Sequence, residues 1–210
     1  MKINLSNLEI VETLKLYSVT VTPAICEAIR LDISLLLHWT KMVSLTTITS
    51  PLDILRFHFG ECMFAASCIP MHQGRLADVG SGAGFPGIPI KLISPDLELV
   101  LIESNGKKTA FLAEIIRDLF LQKVEVARVR MEDFIVSKSG VFDFITARAL
   151  GKYEEFLSWA REHLHENGHV LLWLGKEDTE KVYHFSDWNW NEPAKIPGSD
   201  KRFLLIGTPR

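Results

Sequence analysis

From residue 72 onward, short apolar strand patterns alternate with helix-length amphipathic stretches. This alternation predicts an α/β fold, a doubly wound and mostly parallel sheet covered on both faces. Two further observations shape the expectation. The first 71 residues carry helical periodicity, so a helical extension (1–71) is expected to pack on an α/β core (72–210). A glycine-rich segment also falls where the first strand should give way to a helix, the place where open α/β sheets bind ligands.

The elements follow in chain order. A first helix is expected over 7–17. Thr22-Pro23 supplies an N-cap and a first-turn proline, followed by Ile25, Ile29, Ile33, Leu36 and Leu37 at helical spacing. Ser50-Pro51 repeats the signal ahead of Leu52, Leu55, Phe59 and Met63. Strands are predicted over 75–79, 97–102, 124–127, 142–147, 169–174 and 203–206, with helices over 107–120 and 153–164. The stretch 177–200 shows no clear element, and Trp188-Asn-Trp190-Asn-Glu-Pro193 reads as a loop before the last strand.

Composition removes several function classes. The 210 residues are 47% hydrophobic and 23% charged, which fits a globular chain of one domain, or one domain with a small appendage. No apolar run approaches the ~20 residues that cross a bilayer, so no membrane association is expected. The N-terminal stretch has Asn and Glu where a signal peptide is apolar. The three cysteines (Cys26, Cys62, Cys68) form no CxxC pair, which argues against a disulfide framework or thiolate zinc site and for a reducing cytoplasm. The net charge of −3 does not advertise a nucleic-acid binder. Yet Lys107, Lys108, Arg128, Arg130, Arg148, Lys152, Lys176, Lys201 and Arg202 fall mostly at strand ends or just after them. A doubly wound sheet would gather many of them on one rim; scattered solvating charge is the alternative.

The most informative segment is Leu76-Ala-Asp78-Val-Gly80-Ser-Gly82-Ala-Gly84-Phe85-Pro86-Gly87. Glycines let the backbone turn sharply and approach a ligand without Cβ clashes. Gly82-Ala-Gly84-Phe-Pro-Gly87 matches G-x-G-x-x-G, in isolation a weak signal for a dinucleotide. Asp78 just before the loop would repel a pyrophosphate but could pair with an ammonium. Pro86 removes an N–H where a phosphate would want one. S-adenosylmethionine, with an amino group, a sulfonium and no phosphate, fits better. Glu103, at the end of the second predicted strand, could accept hydrogen bonds from both ribose hydroxyls, or act as an N-cap acid for the next helix. Met131 and Glu132, after the third strand, are placed to hold an adenine, although a short capped helix explains them equally well.

These strings together resemble a known family. Asp78-Val-Gly-Ser-Gly-Ala-Gly-Phe-Pro-Gly87, Glu103-Ser-Asn-Gly-Lys-Lys108 with Phe111-Leu112, Arg130-Met-Glu132 and Arg148-Ala149 resemble the RsmG family, also called GidB, over roughly 38–203. Trp39-Thr-Lys41-Met-Val-Ser44-Leu-Thr46 is similar to its W-N-K-x-x-N-L-T string. The resemblance implies a class I, Rossmann-like methyltransferase that uses S-adenosylmethionine to methylate N7 of a guanine in bacterial 16S ribosomal RNA of the small subunit. It implies cofactor contacts at Gly80, Phe85, Met131, Glu132 and Arg148, with Glu103 in the place of the family's second-strand acid. Asp78, Gly82 and Gly84 complete the expected cofactor loop. The sequence departs from the family at Ser44, at His58-Phe-Gly-Glu61-Cys62 (family H-x-x-D-S) and at Gly175-Lys176 (family Lys-Gly). A methyltransferase of a small molecule or protein, and an inactive nucleotide-binding module, are the alternatives.

Guanine N7 has a lone pair and no proton, so its methylation needs no general base and the work is positioning. Accordingly no catalytic base and no metal site is expected. Arg148, ending the fourth strand, could touch the cofactor or orient the substrate. His58 could face the site, a buried structural histidine being the competing reading. His163, His165 and His169 flank an expected helix end and are not expected to bind metal. Trp39, Trp173, Trp188 and Trp190 are expected to pack rather than stack bases. A cytoplasmic monomer is expected.

Overall fold

A computed structural model describes residues 3–135, 141–148 and 151–210; Ala149, quoted above, lies outside them. The chain opens with α1 (Asn7–Lys15) and α2 (Pro23–Trp39). Ser6 and Glu9 form a capping box on α1, with Glu9 N–H donating to Ser6 Oγ at 3.2 Å and Ser6 N–H to Glu9 Oε2 at 2.8 Å. Thr22 caps α2 ahead of Pro23, and Ser50 caps the next helix ahead of Pro51. That helical run consists of α3 (Pro51–Ile54), a π-helical stretch Leu55–Gly60, α4 (Glu61–Met63) and α5 (Ala65–Cys68).

Strands and helices then alternate: β1 (Arg75–Val79), α6 (Gly87–Ile93), β2 (Glu98–Ile102), α7 (Gly106–Asp118), β3 (Val124–Ala127), a 3₁₀ turn Met131–Asp133, β4 (Phe142–Arg148), α8 (Tyr153–His163), β5 (Leu164–Gly175), α9 (Lys176–Tyr183), β6 (Trp188–Trp190), β7 (Ala194–Lys195) and β8 (Arg202–Pro209). The sheet order is β3-β2-β1-β4-β5-β8-β6, with β7 also on β8. β1 to β5 pair in parallel, while β8 runs antiparallel to β5 and β6. The expected mostly parallel, doubly wound sheet is therefore present. The direction of winding reverses between β1 and β4, which makes their carboxyl ends the topological switch point.

The period of two along each strand splits the core. Leu76, Leu99, Leu101 and Phe144 join Ile10, Ile29, Ile33, Leu36, Phe111 and Leu112, so the N-terminal helices share one apolar core with α7 and this face of the sheet. Ala77, Val79, Val100, Ile102 and Ile145 face the other way, against Phe156, Leu157 and Ala160 of α8 and Val182 of α9.

Three expectations need correction. β5 begins at Leu164, five residues earlier than predicted, because Glu166-Asn-Gly168 continues the strand instead of breaking it. The 177–200 stretch is structured: α9 was hidden because it buries only Thr179 and Val182. Trp188-Asn-Trp190 is a strand, not a loop. It pairs with Thr208 and its neighbours on β8, where Gly207, lacking a Cβ, leaves room for the Trp190 ring.

Candidate cofactor and substrate site

The glycine loop leaves β1 at the switch point. Gly80, Gly82 and Gly84 have φ of 70°, 57° and 83°, a region that L side chains rarely adopt. The Gly80 N–H donates to Ile102 O at 2.8 Å, tying the loop to the end of β2. Gly87, which opens α6, is required for space: a Cβ there would sit 2.8 Å from Asp78 Oδ2 and 2.9 Å from a Leu101 methyl.

Asp78 is fully buried. Its Oδ2 accepts the Gly87 N–H at 2.9 Å, and its Oδ1 lies 3.4 Å from the donating Thr146 hydroxyl. Burial pushes its pKa up to about 7, against the opposing pull of those two bonds. Groups of the protein itself thus already meet both of its oxygens. Asp78 clasps the two ends of the glycine loop.

Glu103, the residue after β2, ties the glycine loop to the turn that precedes α7. Its Oε2 accepts the Gly82 N–H at 3.0 Å and its Oε1 the Asn105 N–H at 2.7 Å. It is not the cap of α7, because the Asn105 side chain accepts from Lys107 and Lys108 N–H in that role. A cavity of about 270 Å³ opens here. Its walls include Gly80, Glu103, Ser104, Arg130, Met131 and Glu132, with Lys152 and Glu155 across from them. Sequence reasoning therefore brings Gly80, Glu103, Met131 and Glu132 to one cavity. Asp78, Gly82, Gly84, Phe85 and Arg148 are not on its walls; the first four build the loop from behind. A larger concavity, about 970 Å³, lies between the N-terminal helices and the end of α7, away from the strand ends.

Arg148 belongs to a second, neighbouring cavity of about 220 Å³, which Tyr153, Trp173, Asp178, Glu61 and Arg202 also line. Its guanidinium donates to Phe57 O at 2.8 Å and to Glu61 Oε2 at 3.1 Å, and one nitrogen lies 3.3 Å from Cys62 Sγ. Glu61, 1% exposed, takes Arg202 on its other oxygen at 2.7 Å. Burial raises the Glu61 pKa, and the two guanidiniums oppose that rise. The Phe57 carbonyl that accepts Arg148 lies in the π-helical stretch that precedes Glu61.

His58 lies on the same turn. Its ring stacks on Phe85 of the glycine loop at 4.7 Å, and Nε2 lies 2.8 Å from Thr46 Oγ1. Burial, helped by Arg148, lowers its pKa to about 4, so the ring is neutral near pH 7. Sequence reasoning missed Glu61, Tyr153 and Asp178. The available signal for Glu61 was its place three residues after His58, in the string similar to the family's H-x-x-D-S. The tryptophans pack: Trp39 N–H donates to Glu114, Trp173 N–H to Glu61 O, and Trp188 stacks with Trp190. His163 stacks on Trp159 with its Nδ1 toward the Trp159 carbonyl.

The family profile described as GidB, rRNA small subunit methyltransferase G, matches residues 25–191. The chain belongs to that family. A relative named ribosomal RNA small subunit methyltransferase G from Desulfitobacterium hafniense is 38% identical over 150 residues, which cover 70% of this chain and 62% of the relative. The relative of the same name from Stutzerimonas stutzeri is 36% identical over 178 residues, 83% of this chain and 82% of the relative. Among solved structures, a SAM-dependent methyltransferase from Aquifex aeolicus superposes with a TM-score of 0.60 at 14% identity, covering 71% of this chain and 90% of its own. TYW2 from M. jannaschii, solved in complex with AdoMet, gives 0.52 at 19% identity over 67% and 69%. These likenesses establish the class I methyltransferase fold. The family match extends from α2 through β6, so it takes in the helical layer that carries His58 and Glu61 as well as the sheet.

Proposed function

We propose that this chain is an S-adenosylmethionine-dependent methyltransferase that methylates N7 of a guanine in 16S ribosomal RNA of the small subunit, acting as a cytoplasmic monomer. The observation that carries the reading is the pair of adjoining cavities at the strand ends: one built for a nucleoside-bearing cofactor, the other walled by arginines and aromatic rings. Family membership supports the ribosomal RNA substrate. Among the described residues, no helix is long and apolar enough to cross a membrane.

The cavity beside the glycine loop fits the cofactor. Gly80 brings backbone close without a Cβ. Glu103 presents a buried carboxylate at the end of β2, where ribose hydroxyls can donate to it. Met131 and Glu132 supply an apolar side chain and backbone N–H groups on the opposite wall. Bound there, S-adenosylmethionine supplies a methyl already activated by its sulfonium.

The protein's own contribution is placement. Arg148, fixed by Phe57 O and Glu61, and Arg202, lying 4.8 Å over the Phe57 ring, present cationic groups to an RNA base or phosphate in the second cavity. The N7 lone pair takes the methyl in an in-line displacement, so no side chain has to remove a proton. A neutral, stacked His58 is consistent with a structural post rather than a base.

The test is incubation with methyl-labelled S-adenosylmethionine and small ribosomal subunits, followed by mapping of the product. Label on guanine N7 supports the proposal. Label only on small molecules or protein, or bound cofactor with no product, refutes it in favour of the alternatives. Binding to the RNA should also weaken steeply with salt, through counterion release from phosphate contacts.

A further inference from the structure

We propose that Asp178 reads the target base: its carboxylate accepts the N1–H and the exocyclic N2–H of guanine while N7 points toward the cofactor cavity. This rests on the guanine-N7 reading and assigns it a specificity-determining residue. Guanine presents acceptors, N7 and O6, on one edge and donors, N1–H and N2–H₂, on another. If the N7 edge faces the cofactor cavity, the donor edge faces into the second cavity, whose lining must then supply a hydrogen-bond acceptor.

Two carboxylates line the cavity, Glu61 and Asp178. Glu61 accepts a hydrogen bond from Arg148 at 3.1 Å on one oxygen and forms an ion pair with Arg202 at 2.7 Å on the other, and with its side chain 1% exposed it is out of a base's reach. Asp178, in the first turn of α9, is 42% exposed. Its Oδ2 accepts the Tyr153 hydroxyl at 3.1 Å and its Oδ1 lies 3.4 Å from Lys181 Nζ, which leaves further lone pairs on both oxygens. Burial and Asp178 together push the Tyr153 hydroxyl up to about 12, so it remains a donor and holds the carboxylate in place. Tyr153 lines the second cavity while the adjacent Lys152 lines the first, so both cavities reach the start of α8.

The chemistry favours a carboxylate there. The N7 lone pair forms the new N–C bond, the C–S bond breaks, and its electron pair leaves on sulfur as a neutral thioether. Positive charge appears on the purine, and N1–H becomes a stronger donor. The bond to Asp178 therefore tightens on the way to the transition state, the kind of interaction that raises kcat. Asp178 takes no proton. Adenine has an acceptor at N1 and would meet the carboxylate lone pair to lone pair, so the same group rejects it.

The experiment compares small-subunit RNA carrying guanosine or inosine at the mapped position; inosine keeps N7 and N1–H but lacks the N2 amine. Wild-type protein should prefer guanosine by about 10- to 100-fold in kcat/KM, the worth of one hydrogen bond to a charged group. Asp178→Ala should lose that preference, methylating both RNAs within about threefold of each other, while cofactor affinity stays unchanged. Asp178→Asn keeps the shape and one acceptor, and should give an intermediate ratio if the alanine variant does not fold. No preference in the wild type, or equal slowing on both RNAs with the ratio kept, overturns the assignment. Methylation by the wild type at an atom other than N7 overturns the guanine-N7 reading itself, and this assignment with it, and product analysis separates that result from the others.

Discussion

Asp32 offers a perturbation whose size follows from the structure. It lies in α2 among Ile29, Ile33 and Leu36, is 1% exposed, and among the described residues neither carboxylate oxygen has a hydrogen-bond partner. Burial alone pushes its pKa from 3.8 to about 8. The folded state therefore keeps a proton that the unfolded state gives up above pH 4. Stability should fall by about 1.4 kcal/mol per pH unit between those two values as the pH rises, reaching about 4 kcal/mol at pH 7 from this one group. Asp32→Asn cannot ionise and removes that slope, while any cost of the buried amide is the same at every pH. Asp78 has a raised pKa of the same sign and keeps its own slope in both proteins, so the difference between them isolates Asp32. Urea unfolding at pH 5 and pH 7 measures it: the variant's stability relative to wild type should improve by roughly 2–3 kcal/mol between the two. A difference that does not change with pH would mean that Asp32 is ionised or solvated in the folded protein, and the reasoning fails.

Glu103→Ala should weaken S-adenosylmethionine binding about 10- to 100-fold, since it removes bonds to a charged group and frees the Gly82 N–H; calorimetry giving an unchanged dissociation constant would leave Glu103 a loop brace only. Gly87→Ala should reduce cofactor binding more than it reduces folding, because the new Cβ meets Asp78 and pushes on the loop's clasp; equal affinity in the two proteins would show that the loop absorbs the strain. With cofactor and RNA saturating, the single-turnover rate should show no limb set by His58 from about pH 6.5 to 8.5, since His58, lowered to about 4, is neutral throughout, while Asp78, raised to about 7, titrates in this window behind the loop and takes no proton from the substrate. His58→Gln should change that rate only modestly. A tenfold rise per pH unit that His58→Gln abolishes would make His58 a base and move the methylated atom to one that carries a proton.

The alternation of strands and helices was legible because each element carries its own period, and β1 and β3 match their expected limits residue for residue. Caps at Thr22 and Ser50 were legible for the same local reason: a hydroxyl and a following proline act within one turn. The glycine loop announced a ligand, since three positive φ values in five residues tolerate little except glycine. What sequence left undecided is what depends on distance across the fold. Asp78 and Gly87 are nine residues apart, and only the folded turn puts carboxylate and N–H within 2.9 Å. Arg148 could be placed at a strand end, but its partners Phe57 and Glu61 come from a helical layer some ninety residues earlier. With those contacts it lines the second cavity. Asp178 sits on a helix with almost no apolar stripe, and only the docking of α9 beside Tyr153 brings it to the lining of the second cavity. Local pattern marks the strands, helices and tight turns that carry a strong period or cap, because those preferences act between near neighbours, and it misses α9, whose apolar face is slight, and the short β6. The lining of each cavity, and the burial that shifts a pKa, arise from packing between segments far apart in the chain, which periodicity does not encode.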